Sequence, residues 1–179
     1  MSRKQINFEN FNFKPIANWD GQGMLLTSGD LKAGQFNAMT VGWGSLGVMW
    51  GLPFVQVVVR PVRYTYQFIE KYNTFTVCAF SPAYAPALHL LGNKSGRDGD
   101  KITESGLTPI ASTLVAAPGY EQAALILECR KIFWEDMDKN KFLDPRLDKK
   151  YPAKDYHRMY YGEILSIHGE DLYKAEKII

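Results

Sequence analysis

Six short apolar runs, separated by glycine, proline and polar turn residues, constrain this chain more than any other feature. They share β-branched and aromatic residues, and the alternation of apolar and polar positions is clearest in residues 74–80. The runs are residues 23–29, 38–50, 53–60, 74–80, 124–134 and 161–169. Runs of this length and composition, bounded by turn signals, are typical of strands. The pattern predicts a mostly β fold, built as a closed antiparallel barrel.

Helical signals are few and short. Residues 64–72 place aromatic side chains on one helical face. Ser81 followed by Pro82 is a helix start, which predicts a helix up to Gly92 that a further proline should kink or shorten. Residues 98–107 predict one more helix, and the charged residues 136–155 are expected to pass over the surface.

The chain has 179 residues, of which 46% are hydrophobic and 22% are charged. A single domain of residues 1–179 is expected, because one core typically holds about 100–200 residues. The net charge of +2 is too small to indicate a nucleic-acid or membrane-surface partner. The apolar runs are too short to span a bilayer, and the N-terminal residues lack the apolar core of a secretory signal. We therefore expect the protein in the cytoplasm.

Cysteine and histidine residues give no indication of a metal site. Cys78 and Cys129 each lie among alternating apolar residues and are expected as reduced thiols in or near the core, with a disulfide or metal ligation as the alternative. His89, His157 and His168 lack the spacing of metal ligands, so no metal is predicted.

The most unusual segment is residues 37–50, in which Gly42, Gly44 and Gly47 remove side chains soon after a strand begins. Glycine inside a strand often marks a bulge or a place where a ligand approaches the backbone. A flat ring system could use such a site, with backbone groups at its polar edge and Trp43 or Trp50 on its face. The alternative is a glycine-rich hairpin whose tryptophans fill the core, and composition leaves both open.

Two further segments combine cations with free backbone donors. Residues 60–66 end a strand and open a helix, so that two arginines, a threonine hydroxyl and helix N–H groups converge as in phosphate sites. Residues 91–101 place three cations among glycines, which lets successive N–H groups point at one anion, although two aspartates offset part of the charge. Each segment has an ordinary alternative, a solvated turn and a surface loop.

Residues 154–162 mix aromatic and basic side chains ahead of the last strand. This segment could cap a ligand or pack against a second subunit. His157 forms no recognisable catalytic dyad in the sequence, so no catalytic residue is predicted.

In this order the segments resemble the flavin reductase family of FMN-binding split barrels, most closely its flavoredoxin-like branch. The resemblance covers most of the chain. It is carried by residues 37–44, 60–66, 75–77, 92–101, 127–130 and 155–162. It implies a six-stranded antiparallel Greek-key split barrel with a few short helices, and a homodimer with one FMN per subunit near the interface.

The resemblance also implies which residues hold FMN. A first group would contact the isoalloxazine, largely through the backbone: Met39, Thr40, Val41, Gly42, Trp43 and Gly44. A second group would bind the phosphate and ribityl groups: Arg60, Arg63, Tyr64, Thr65, Lys94, Ser95, Gly96 and Lys101.

The expected function is a flavin reductase that passes electrons from NADH or NADPH to flavin and on to an acceptor, which could be another protein. Because the cofactor carries the hydride chemistry, no acid–base pair is needed. The main alternative is a non-catalytic FMN-binding electron carrier without a nicotinamide site. A nucleic-acid-binding barrel conflicts with the low net charge, and a haem site lacks an obvious axial ligand.

Overall fold

The computed structural model describes residues 2–175, and antiparallel strands dominate them. The strands are β1 (Lys4–Gln5), β2 (Met24–Asp30), β3 (Gln35–Val41), β4 (Gly44–Met49), β5 (Leu52–Val59), β6 (Thr74–Ala79), β7 (Pro109–Ile110), β8 (Gly119–Tyr120), β9 (Leu125–Asp136) and β10 (Arg158–Gly169). The helices are α1 (Pro15–Asp20), α2 (Tyr64–Lys71), α3 (Ala85–Asn93), α4 (Lys101–Glu104) and α5 (Pro145–Asp148). The mostly β prediction with a few short helices is confirmed.

The main sheet follows the order β3-β2-β6-β9-β10-β5-β4, and β1 adds to β10. Its two ends, β3 and β4, follow one another in the chain but are not hydrogen-bonded to each other in the described residues. The apolar run 38–50 is therefore two strands, joined at Gly42 and Trp43. The barrel is split at this junction, whereas the residue pattern alone predicted a closed barrel. The main sheet has eight strands, where the resemblance implied six.

A tight hairpin joins β4 to β5, with Met49 opposite Leu52. Its two turn residues, Trp50 and Gly51, have φ of 54° and 73°. Positive φ at both central residues is typical of the type I′ turn, whose twist matches that of the flanking strands. The backbone thus holds the Trp50 side chain outside the barrel, where it is 61% exposed.

The two faces of the sheet bury different clusters. Alternate residues of β5, β6 and β9, such as Val57, Val77 and Leu127, fill the interior of the barrel. The opposite face packs on α3 through residues such as Leu88. The period-two alternation of the sequence is the direct cause of this division.

The two cysteines lie on opposite faces, Cys129 in the interior cluster and Cys78 in the outer one. Both are buried and free, which confirms their predicted place in the core. Burial raises the pKa of the Cys78 thiol to about 12 and that of Cys129 well above its ordinary value. Neither thiol is therefore suited to nucleophilic chemistry near neutral pH.

Two helix predictions change in detail. The first turn after Ser81 is a 3-10 turn, Pro82–Tyr84, and Pro86 then lies in the first turn of α3, where its missing N–H costs nothing. The helix expected over residues 98–107 shrinks to α4, because Asp100 accepts a hydrogen bond from the Thr103 N–H and so fixes the start of the helix.

Candidate functional site

A cleft of about 630 Å³ opens between the free edge of β3, the start of α2, the loop after α3 and the start of β10. This volume lies within the roughly 300–1,000 Å³ of small-molecule sites. The lining residues are Asn37, Met39, Thr40, Val41, Gly42, Trp43, Val58, Arg60, Val62, Arg63, Tyr64, Thr65, Leu91, Asn93, Lys94, Ser95, Arg97, Lys101, Asp155 and His157.

One wall of the cleft is the edge of β3. Among the described strands β3 pairs with β2 alone, so every second residue directs its backbone N–H and C=O away from the sheet. Gly42 extends this wall without a side chain, and a β-carbon there would meet only the Trp19 carbonyl oxygen, at 3.5 Å. Trp43 follows, 46% exposed, with its ring centroid 5.1 Å from that of His157.

Besides the backbone edge of β3, the cleft contains a buried cation, Lys101. Its side chain is only 3% exposed, and its Nζ donates to the carbonyl oxygens of Leu91 and Lys94, each at 2.9 Å. In the described part of the chain no carboxylate pairs with it. Burial, and secondarily the charge of Arg63, lowers the pKa of Lys101 to about 8. An anion bound here would compensate a charge that the protein leaves uncompensated.

The start of α2 adds further donors to the same end of the cleft. Arg63 precedes the helix, and within residues 2–175 no side chain caps its first turn. The Arg63 guanidinium donates to the Gly92 carbonyl oxygen at 3.1 Å, which ties α2 to the end of α3. Thr65 is buried, and its Oγ1 accepts a hydrogen bond of 2.7 Å from Asn37 Nδ2. The uncapped N–H groups of a helix start favour an anion.

Arg60 lies in the cleft but is already paired. Its guanidinium donates to both carboxylate oxygens of Asp155 at 3.1 Å and to the Lys150 carbonyl oxygen at 2.9 Å. It also lies over the Tyr151 ring, 4.9 Å from the centroid. Arg60 therefore anchors the β9–β10 connection (residues 137–157), which carries the surface excursion expected from its charged sequence.

His157 forms the cleft side of this connection. Its Nδ1 and the Tyr151 hydroxyl are 2.8 Å apart, and the Tyr151 ring is buried. Burial, followed by the nearby charge of Arg60, lowers the pKa of His157 to about 4. The imidazole is consequently neutral at pH 7 and presents an uncharged ring beside Trp43.

All but two of the residues predicted from the sequence line this cleft. Gly44 lies outside it at the start of β4, where a β-carbon would be 2.6 Å from the Gln56 carbonyl oxygen and 2.7 Å from the Trp19 ring. Gly96 borders a neighbouring groove, where a β-carbon would collide with the Asn37 and Tyr64 side chains. Both glycines are explained by close packing.

Sequence reasoning left several lining residues out of the site. Asn37 stands beside the glycine-rich strand, but its partner Thr65 is distant in sequence. Asp155 gives no signal until Arg60 is known to face it. His157 and Arg97 lie in segments whose composition indicates a ligand site, and that composition is the signal that could have included them.

The residues present fit a flat ring with an anionic tail. The edge of β3 and the neutral ring of His157 border one part of the cleft, and the uncompensated cation and uncapped helix start border another. Among residues 2–175, no group of three or more His, Cys, Asp and Glu side chains could hold a metal ion. No helix within those residues is long and apolar enough to cross a membrane.

Solved structures share this fold. An FMN-binding domain of a flavin reductase-like enzyme from Shewanella baltica is 17% identical, with a TM-score of 0.66 over 94% of this chain and 78% of that chain. Flavoredoxin from Methanosarcina acetivorans is 26% identical, with a TM-score of 0.63 over 84% and 69%. An NADH:FAD oxidoreductase from Streptomyces globisporus is 17% identical, with a TM-score of 0.60 over 80% and 67%.

A comparison with curated proteins finds no match. The family model described as the flavin reductase like domain matches residues 21–176, which is most of the chain. That span contains the whole cleft lining, from Asn37 to His157. On this match, and on the fold it shares with the solved structures, the chain belongs to the flavin reductase-like domain family.

Proposed function

We propose that this chain binds FMN in the cleft and works as a flavin reductase that takes electrons from NADH or NADPH. The observation that carries the proposal is the meeting of a free strand edge and a buried, unpaired cation in one cleft. Family membership, an FMN-binding relative and an NADH-dependent relative support it.

The phosphate of FMN would be held by Lys101, Arg63 and the uncapped start of α2. These groups combine a full charge with backbone donors, which is the usual composition of a phosphate site. Lys94 contributes less, because its Nζ is already paired with Glu104 Oε1 at 2.6 Å. Ser95 and Tyr64 would complete this end by contacting the ribityl chain.

The ring of FMN would lie along residues 39–43. Backbone N–H groups of this edge would donate to the polar side of the ring and so stabilise negative charge on it. Met39 and Val41 are buried, so their side chains hold this edge in the core while its backbone stays available. When bound, FMN supplies the hydride chemistry itself.

His157 and Trp43 would form the place where a second ring stacks. Both are flat, and His157 carries no charge at neutral pH, so a nicotinamide ring could stack here without meeting a buried charge.

A homodimer is part of the proposal. On the β4–β5 hairpin Val48 is 74% exposed and Trp50 61% exposed, and Trp50 lies 5.8 Å from Phe133 of β9, centroid to centroid. Exposed apolar groups of this kind mark association surfaces. Molar mass from light scattering is expected at twice the chain mass of 20.3 kDa. Residence in the cytoplasm stays a prediction from the sequence.

The reaction is tested by adding NADH or NADPH to the FMN-loaded protein without oxygen and following the visible flavin spectrum. Bleaching by one of the two establishes the reductase and its donor. Bound flavin that bleaches with dithionite but with neither nicotinamide supports the carrier alternative and rejects the reductase. A protein that takes up no FMN rejects both.

A further inference from the structure

Three aromatic side chains pack together within the β9–β10 connection, next to His157. Tyr151 is at their centre. Its ring is stacked on that of Phe142, 6.1 Å between centroids, and lies 4.8 Å from that of Tyr156. Tyr151 is only 3% exposed and is not among the residues that line the cleft. Any influence of its hydroxyl on a ligand in the cleft must therefore act through the residue that it contacts, His157.

The contact between Tyr151 and His157 is fixed at both ends. The guanidinium of Arg60 lies over the Tyr151 ring, 4.9 Å from its centroid, and is itself held by both carboxylate oxygens of Asp155 at 3.1 Å. On the other side of the contact, the Met137 N–H donates to the His157 carbonyl oxygen at 3.0 Å. Ring stacking and backbone pairing thus leave the hydroxyl one direction in which to point.

The hydroxyl of Tyr151 has two acceptors within reach. The His157 Nδ1 is 2.8 Å away and the Met137 Sδ is 3.3 Å away. A thioether sulfur is a weak acceptor, whereas the unprotonated nitrogen of a neutral imidazole is a good one. Burial raises the pKa of Tyr151, so the hydroxyl keeps the proton that it donates. The stronger of the two possible bonds is the one from the hydroxyl to Nδ1.

This bond decides which nitrogen of His157 carries the proton. A neutral imidazole has one donor and one acceptor nitrogen, and the partner of one nitrogen sets the state of the other. With Nδ1 as the acceptor, the proton is on Nε2. Among residues 2–175 Nε2 has no hydrogen-bond partner, and His157 lines the cleft beside Trp43. The nitrogen left for a ligand is therefore an uncharged N–H donor.

We propose that Tyr151 is a positioning residue, which fixes His157 with its proton on Nε2 so that the cleft presents a neutral N–H donor to a carbonyl oxygen of the ring that stacks beside Trp43. This rests on the proposed function, in which that ring is a nicotinamide. A carboxamide offers both an oxygen acceptor and an N–H donor, and the tautomer of His157 selects the oxygen.

The tautomer is measured from the imidazole ¹⁵N resonances of His157 in the flavin-free protein, assigned by their loss in His157→Gln. We expect a protonated Nε2 and an Nδ1 that accepts a hydrogen bond. In Tyr151→Phe the Nδ1 resonance should move to that of an unbonded imine nitrogen. Tyr156→Phe is the matched control, because its hydroxyl donates to Asp148 Oδ1 at 2.5 Å, and it should change neither resonance.

A second measurement compares the KM for NADH with that for its reduced 3-acetylpyridine analogue, which keeps the carbonyl oxygen but lacks the amide N–H. The wild-type protein should accept both with KM values within about threefold. Tyr151→Phe should raise both KM values about threefold to tenfold, because one hydrogen bond contributes about 0.5–1.5 kcal/mol. The affinity for FMN, and both KM values in Tyr156→Phe, should change less than about twofold.

A proton on Nδ1 in the wild-type protein, or an Nδ1 resonance that Tyr151→Phe leaves in place, would overturn the assignment. So would a KM for the analogue about tenfold above that for NADH, since His157 would then accept from the amide N–H. If the FMN-loaded protein oxidises neither nucleotide, the proposed reductase fails, and the ¹⁵N resonances of the flavin-free protein still decide the role of Tyr151.

Discussion

The start of α4, which carries Lys101, and the β9–β10 connection border the same cleft with opposite arrangements of charge. Lys101 is buried with carbonyl oxygens as its only partners in the described residues, whereas Arg60 is held by both oxygens of Asp155. A paired cation has little charge left for a ligand, and an unpaired buried cation gains most from one. We therefore propose different roles for the two regions: Lys101 binds the anion, and the Arg60–Asp155 pair positions the connection that carries His157.

The largest expected effect follows from removing the unpaired cation. Lys101→Met should weaken FMN about tenfold or more, because a charge-assisted hydrogen bond to phosphate contributes about 1.5–3 kcal/mol. Riboflavin, which lacks the phosphate, should bind the variant and the wild-type protein alike. Flavin fluorescence titrations measure both constants.

Arg60→Met is the matched comparison for Lys101→Met. Because Arg60 is already paired, its loss should change FMN affinity less than about threefold, and hydrogen exchange should rise in residues 137–157. Equal losses of FMN affinity in the two variants would show that pairing does not separate the two regions.

Two glycines near the junction of β3 and β4 allow a residue that lines the cleft to be compared with a residue that is closely packed. Gly44→Ala forces a β-carbon against the Trp19 ring and should lower the free energy of unfolding by about 1–3 kcal/mol. Gly42→Ala meets only an ordinary contact and should leave stability nearly unchanged. Urea unfolding of the two variants without flavin measures this. Equal stability of the variants would mean that Gly44 is not a packing position.

The last prediction concerns His157 and the dependence of the free energy of unfolding on pH. Its pKa is about 4 in the folded chain and ordinarily 6.5, so between these values the unfolded chain binds a proton that the folded chain does not. Stability conferred by the neutral ring is present above pH 6.5 and falls by about 1–2 kcal/mol on going from pH 7 to pH 5. His157→Gln should remove that part of the decline in urea unfolding. If the free energy of unfolding of the variant depends on pH as in the wild-type protein, a group other than His157 binds the proton.

Sequence patterns predicted those elements whose structure depends on residues close together in the chain. The helix expected over residues 64–72 is α2, and the alternation in residues 74–80 is β6, because each pattern is fixed within a few positions. The strand junction at Gly42 and Trp43 was not predictable, since a strand ends there through the loss of partners on other strands.

The same distinction between local signals and distant contacts applies to the candidate site. The cations of residues 60–66 and 91–101 could be found by composition, but which of them is free could not. Arg60 is paired with Asp155, 95 positions away, and Lys101 is buried by the packing of the loop around it. The roles of Gly44 and Gly96 likewise depend on side chains that the fold brings from distant segments.

The most direct test of the central claim is an equilibrium titration of the purified protein with FMN, followed by flavin fluorescence and repeated with inorganic phosphate as competitor. The account predicts saturable binding of one FMN per chain that phosphate weakens, because both anions require Lys101 and the start of α2. Fluorescence that shows no saturable change with FMN would contradict it.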